Sequence, residues 1–289
     1  MDLPFGLPEV DYADYSNRQL IAVPLAVLLV ALLIIGGVWL TTGTPVDLGM
    51  EFTGGSEMRL QVDGDNPQQQ IQEAFGAEPA SIQPVSGSDM YIVSFGEGAD
   101  SEQLERQAED AGFGVESVGS TSASFGEDAQ VQAIGGIVVA FAGMSVLVFA
   151  MFRTFVPSIA VVLSAFSDVV VPLALMNVLG IPLTLGSVAA LLMIIGYSVD
   201  SDILLNNHVL RRQGGFYESA YRAMETGITM TLTSIAAMIV MTVVATAFGI
   251  GLLSSIGLIL VFGLTTDLLN TYMLNMSLLR WWKFEGVNR

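Results

Sequence analysis

Four aspartates stand inside apolar runs long enough to be lipid-embedded: Asp168, Asp200, Asp202 and Asp267. An ionised carboxylate near a bilayer centre costs roughly 2.5–3.5 kcal/mol on insertion scales, so such side chains turn to a bundle interior and mark ion or substrate paths. A carboxyl held between apolar burial, which favours its neutral form, and a nearby arginine, which favours its charged form, takes up and releases a proton as its surroundings change. That is the chemistry of a proton relay. The same residues also suit a second role, interhelical hydrogen bonding by a neutral aspartic acid, for instance from Asp168 to a serine of a facing helix.

Spacing sorts the four. Asp168 follows Pro157 by 11 residues and Asp200 precedes Arg211 by 11, about 16 Å along a helix in each case, so the two are expected at similar depth on antiparallel neighbours. At about 100° per residue, Asp200, Asn207 and Arg211 share one side of their helix, while Asp202 and Asn206 share another. Asp200 is therefore expected to face Asp168 and lead to a polar stripe ending at Arg211 and Arg212. Asp202 is expected to contact a different helix or a partner subunit, and Asp267, beside Thr265 and Thr266, to act as an interhelical tether. His208 reads as a solvated or capping residue. The hydroxyls of Thr226, Thr229, Thr231, Thr233 and Ser234 either line a polar path or bond back to their own helix.

The elements that must position these residues are membrane helices. The chain has 289 residues, 52% of them hydrophobic, with a mean hydropathy of +0.63. Runs long enough to cross about 30 Å of hydrocarbon lie at 20–40, 131–152, 157–178, 184–206, 229–248 and 252–279, so the fold class is a bundle of six transmembrane helices. The first run is not followed by a small-residue cleavage site and is expected to be an uncleaved span rather than a signal peptide.

Charge gives the orientation. Arg18, Arg153, Arg211, Arg212, Arg222, Arg280, Lys283 and Arg289 all fall on one side if the N-terminus is cytoplasmic, whereas Arg59 and Arg106 fall in the single long connection. By the excess of basic residues on cytoplasmic loops, residues 1–19 form a cytoplasmic segment, 41–128 an external domain, 129–281 the five remaining spans and 282–289 a cytoplasmic tail of this plasma-membrane protein.

Net charge is −18, and residues 41–128 hold 17 carboxylates against two arginines. Such an acidic surface suits a cell living in high salt, where its self-repulsion is screened, and it disfavours nucleic acid as a partner. Without cysteine the chain has no disulfide, thiolate metal site or cysteine nucleophile.

Within the long connection the hydrophobic period changes. Residues 57–62, 81–85, 90–95 and 115–120 read as strands, 66–75 and 99–112 as helices, and Ser86 to Asp89 as the turn of a hairpin. The order βαββαβ is that of a small ferredoxin-like α/β domain. It carries no serine–histidine–aspartate set, phosphate loop or metal-ligand cluster, so a binding or moving module is expected rather than an enzyme. Ahead of it, VDLGMEFTGGS (46–56) reads as a tight turn into the first strand.

Taken together, these features resemble the SecF branch of the SecD/SecF family of protein-export membrane proteins, within the wider superfamily of proton-driven resistance, nodulation and division transporters. The resemblance covers nearly the whole chain. EFTGGS (51–56), with Phe52, Thr53, Gly54 and Gly55, is similar to the family's DFTGGT; GYSVDSD (196–202), with Gly196, Tyr197 and Ser198, is similar to GYSINDT. Ser167 and Asp168 stand where the family has a histidine and aspartate pair, which implies a role for Asp168 in proton flow. Ser201 stands where the family has an aspartate, with carboxylates at Asp200 and Asp202 instead, as in an archaeal variant.

The resemblance implies an obligate SecD partner, the SecYE translocon and an unfolded preprotein as further partners, no cofactor beyond a coupling proton or sodium ion, and export assisted by the proton motive force. Two other readings are a scaffold that stabilises the translocon and a small-molecule exporter of the same superfamily.

Overall fold

The computed structural model describes residues 14–64, 66–85, 89–211 and 215–286. Helix α1 (Asn17–Thr42) opens on a capping box, in which Ser16 Oγ accepts from the Gln19 N–H at 3.3 Å and Gln19 Oε1 accepts from the Ser16 N–H at 2.9 Å. A single helical turn, α2 (Met50–Thr53), leads through Gly54 and Gly55 into β1 (Gly55–Gln61). There follow α3 (Pro67–Ala74), β2 (Ser81–Pro84), β3 (Met90–Phe95), α4 (Ser101–Asp110) and β4 (Gly114–Thr121). The membrane-length helices α5 (Ala123–Phe152), α6 (Phe155–Leu179), α7 (Leu185–Arg211) and α8 (Phe216–Ala247) come next. A sixth apolar segment comprises α9 (Gly251–Leu269), a π-helical turn (Asn270–Asn275) and α10 (Met276–Trp281), closed by a second π turn (Trp282–Gly286).

Six segments among the described residues are long and apolar enough to cross a membrane. Two begin well before their hydrophobic run, α5 at Ala123 and α8 at Phe216. Local polar groups carry the extra turns: Ser122 Oγ accepts from the Phe125 N–H at 3.4 Å, and Glu218 pairs with Arg222 at 2.6 Å.

Helix α6 is the central element. It packs against α1, α7, α9 and the first π turn, and its buried side chains include the small residues Ser158, Ala160, Ser164, Ala165, Ser167 and Ala174, which let neighbouring backbones approach closely. By contrast α1, α5 and α8 leave long apolar side chains on their outer faces, among them Leu33, Leu40, Val139, Val146, Val240 and Val243, as lipid-facing helices do.

The strands form one antiparallel sheet in the order β2-β3-β1-β4, with Met58 opposite both Val93 and Val118. One face packs on α3 and α4 through Met58, Leu60, Val93, Phe95, Ile71, Leu104 and Ala108, all buried. The hairpin turn expected at Ser86 to Asp89 falls largely on residues 86–88, outside the described residues.

Contacts on β1 and ahead of it join this α/β unit to the helices. Arg59 on β1 donates to the carbonyl of Gly249, in the turn between α8 and α9, at 3.2 Å. Leu48, just before α2, pairs in parallel with Leu183 in the loop between α6 and α7. The tight turn expected over 46–56 is thus in part a helix, and the left-handed backbone comes after it, at Gly54 (φ 73°) and Gly55 (φ 125°). A side chain at Gly55 would also strike the carbonyl oxygen of Phe95, so β1 lies too close to β3 there for any other residue.

Candidate functional site

Three of the four intramembrane aspartates meet at the centre of the bundle. Asp168 (α6), Asp202 (α7) and Asp267 (α9) are all fully or almost fully buried. Asp168 accepts from Ser198 Oγ of α7 and from Asn270 Nδ2 of the first π turn, both at 2.6 Å. Asp202 accepts from Asn275 Nδ2 at 2.7 Å and Thr271 Oγ1 at 3.0 Å. Asp267 accepts from Ser201 Oγ at 2.7 Å and from Thr271 Oγ1 at 3.1 Å. Thr271 Oγ1 thus lies between Asp267 and Asp202, while Ser201 Oγ, which donates to Asp267, also reaches the carbonyl of Ser198, the residue whose hydroxyl binds Asp168.

The π turn explains how one segment serves two carboxyls. Its wider winding departs from the α-helical period just after Asp267 and presents Asn270, Thr271 and Asn275 to α6 and α7. Room for this bulge comes from Gly227 on α8, where a Cβ would lie 2.1 Å from Tyr272 Oη.

Every donor found at these carboxyls is neutral. The one ion pair among the described residues, Arg222 with Glu218, is exposed and remote from them in the bonding network. Thr271 holds one oxygen of Asp202 and one of Asp267 within about 6 Å of each other, where two full negative charges would repel by about 3 kcal/mol at an effective dielectric constant of about 20. Ionising both carboxyls at once is therefore costly, and a proton on one of them relieves the repulsion. Hydroxyls suit proton movement because each accepts one hydrogen while donating another. Among the described residues no three histidine, cysteine or acidic side chains converge as metal ligands.

One helical turn beyond Asp202, Asn206 is fully buried, and neither polar atom of its amide has a protein partner among the described residues. An amide in that state is available to a small polar guest. It extends the polar file from the carboxyls toward the C-terminal end of α7.

Asp200 lies elsewhere. It is exposed on a stripe of α7 that includes Met193, Gly196, Tyr197 and Asn207, and it does not face Asp168. The apolar residues of α7 decide this: Leu191, Ile195, Leu205 and Val209 are buried on the side that carries Ser198 and Asp202, and Asp200 is about 200° around the helix from Asp202. Asp168 meets Ser198, two residues from Asp200, so the two aspartates stand level along α6 and α7, but Asp200 does not share the expected face. Arg211 closes α7 with its side chain outside the described part of the structure, and Arg212 is outside the described residues altogether.

Several other residues have settled positions. Phe52 is buried, and the Thr53 hydroxyl bonds to the Gly54 carbonyl at 3.1 Å. His208 Nδ1 lies 2.8 Å from the Leu204 carbonyl. Thr226, Thr229 and Thr233 bond back to carbonyls one turn earlier in α8, the second of the two arrangements open to them. Sequence reasoning missed Ser201, Asn206, Asn270, Thr271 and Asn275 as site residues. The signal was the spacing of Asp267, Asn270, Thr271 and Asn275, a polar stripe in an otherwise apolar segment.

Comparison with known proteins agrees with this architecture. The family model for the C-terminal part of protein export membrane protein SecD/SecF matches residues 101–285, and that for the SecD/SecF GG motif matches 39–65. A protein-export membrane protein SecF of Haloferax volcanii is 66% identical over 286 residues, 99% of each chain. Its counterpart in Haloquadratum walsbyi, also a haloarchaeon, is 63% identical over 289 residues, again 99% of each. The crystal structure of SecDF, a translocon-associated membrane protein from Thermus thermophilus, superposes with a TM-score of 0.72 at 20% identity, covering 98% of this chain and 40% of that one. The chain thus spans less than half of that solved protein. On its helices, its GG segment and its close relatives, the chain belongs to the SecD/SecF family of protein-export membrane proteins.

Proposed function

We propose that this chain is the SecF half of a SecD–SecF assembly that assists preprotein export through the SecYE translocon, driven by ion flow through the buried carboxyl cluster. The observation that carries this reading is the buried set Asp168, Asp267 and Asp202, enclosed by four helical elements and held by neutral donors only, with the Thr271 hydroxyl between Asp267 and Asp202. Filling and emptying it with protons, or with sodium, changes its internal repulsion and hence the packing of α6, α7 and the sixth segment. The chain performs no covalent chemistry and needs no cofactor beyond the coupling ion.

Orientation follows from the basic residues, with both termini cytoplasmic and the α/β unit outside. Strand order β2-β3-β1-β4 with α3 and α4 on one face supports a ferredoxin-like arrangement for that unit. Asn206 then lies on the cytoplasmic side of the cluster. A SecD subunit covers the outer stripe of α7, because a carboxyl at Asp200 halfway along a membrane helix is costly against lipid.

The test is export of a signal-peptide-bearing reporter in cells depleted of this protein and complemented with the native chain or Asp168→Asn, with membrane levels matched. Export at the level of uncomplemented cells is expected for the amide variant. Full export would reduce Asp168 to an interhelical tether and leave the scaffold reading in place.

A further inference from the structure

The segment between α1 and β1 is gripped from several sides. The Gly49 N–H donates to the Leu183 carbonyl and the Leu183 N–H to the Asp47 carbonyl, both at 2.7 Å. Asn177 Nδ2, near the end of α6, donates to the Pro45 carbonyl at 3.0 Å. On the far side, a Cβ at Gly126 of α5 would stand 2.8 Å from the Phe52 carbonyl oxygen. The loop that holds the segment is the one joining α6 to α7, the helices that carry Asp168 and Asp202.

One side chain makes the most direct link. Glu51 Oε2 accepts from the backbone N–H of Leu185, the first residue of α7, at 2.5 Å. A carboxylate there satisfies one of the free N–H groups of the helix start and faces the positive end of its dipole. Three residues later the chain passes through Gly54 into β1 with no intervening loop. Between the sheet and the first turn of the helix bearing Ser198, Ser201 and Asp202 there is thus a path of one helical turn and one carboxylate.

We propose that Glu51 is a positioning residue that couples the α/β unit to α7, so that the ion state of the carboxyl cluster and the pose of the α/β unit change together. The inference rests on the ion-driven reading above, but the contact can be tested apart from it. Because the chain has no cysteine, a designed pair reports cleanly. Leu48 and Leu183 pair as neighbouring strands do, about 4.7–4.9 Å apart, within the Cα separation of about 4.4–6.8 Å that a disulfide spans.

Four chains are compared in cells that also make SecD: native, Glu51→Ala, Leu48→Cys with Leu183→Cys, and the triple variant, each reduced and oxidised. Glu51→Ala is expected to lower reporter export about five- to tenfold at native membrane levels, the range of a modest coupling energy, and to speed deuterium exchange of the amides at 185–188. Oxidising the triple variant restores both toward native values, because the disulfide replaces the lost tether. Oxidising the double variant leaves export unchanged. Native export and exchange in Glu51→Ala, or loss of export on oxidising the double variant, overturns the proposal. If Asp168→Asn exports fully while Glu51→Ala does not, the coupling stands and the ion-driven reading fails.

Discussion

Thr271 Oγ1 has one hydrogen and two carboxyl oxygens within 3.1 Å, on Asp202 and Asp267, so it can satisfy only one of them at a time by donation. Removing that hydroxyl separates relay from packing. Thr271→Val keeps the shape but leaves a buried acceptor short of a bond, at a cost of about 1–3 kcal/mol. The expected outcome is a correctly inserted protein that recovers SecD yet exports the reporter at the level of uncomplemented cells. Normal export by the valine variant would show that no proton passes between Asp202 and Asp267 through Thr271. Asp168 and Asp202 were legible from sequence because charge inside an apolar run is rare and costly. Their partners were not, since asparagine and threonine are ordinary in membrane helices and only a neighbouring carboxyl makes Asn270, Thr271 and Asn275 notable. Asp200 was misplaced because its polar neighbours Asn207 and Arg211 suggested an inner stripe, whereas the apolar residues Leu191, Ile195, Leu205 and Val209 fix the inner face.

At the scale of elements, β1 brings Glu57 and Arg59 to the cleft of about 820 Å³ between the sheet and the helix-connecting loops, where Glu51 also lies. Burial pushes the Glu57 carboxyl above its usual 4.5, Arg59 pulls it down and Glu51 adds to the rise. The folded protein therefore holds the Glu57 proton more tightly than the unfolded chain does, and the stability from this residue is full below about pH 4.5 and declines as pH rises through the raised folded-state value. Glu57→Gln removes the decline. Thermal unfolding of the purified protein should show the variant equal to native near pH 4.5 and more stable at pH 7, with the opposite order at pH 7 counting against a buried, unfavourably charged Glu57. Strand β3 has the same ends in sequence and structure, Met90–Phe95, because its run of large residues is bounded by turn formers. The π turn had no such signature: its widened winding is imposed by Asp168, Asp202 and the gap at Gly227, all distant in sequence.

For the whole molecule, the decisive feature is what this chain leaves uncovered. Helix α7 is half outer surface, with Gly196, Tyr197 and Asp200 exposed midway along a helix of membrane length, and the solved SecDF chain is more than twice the part matched here. The apolar outer faces of α1, α5 and α8 are at ease in lipid, but a carboxyl at Asp200 needs donors that no described residue supplies. Gly196 adds room, since a Cβ there would meet nothing within 4 Å, and small residues are what close helix contacts in membranes use. Asp200→Leu is therefore expected to leave this chain's own fold and membrane level unchanged, because no described side chain bonds to Asp200, while lowering the SecD recovered with gently solubilised protein about tenfold, the equivalent of about 1.4 kcal/mol. Undiminished recovery would move the SecD contact to another face. It would also favour a place for Asp200 in the ion path itself, on the outer face of α7 rather than beside Asp168.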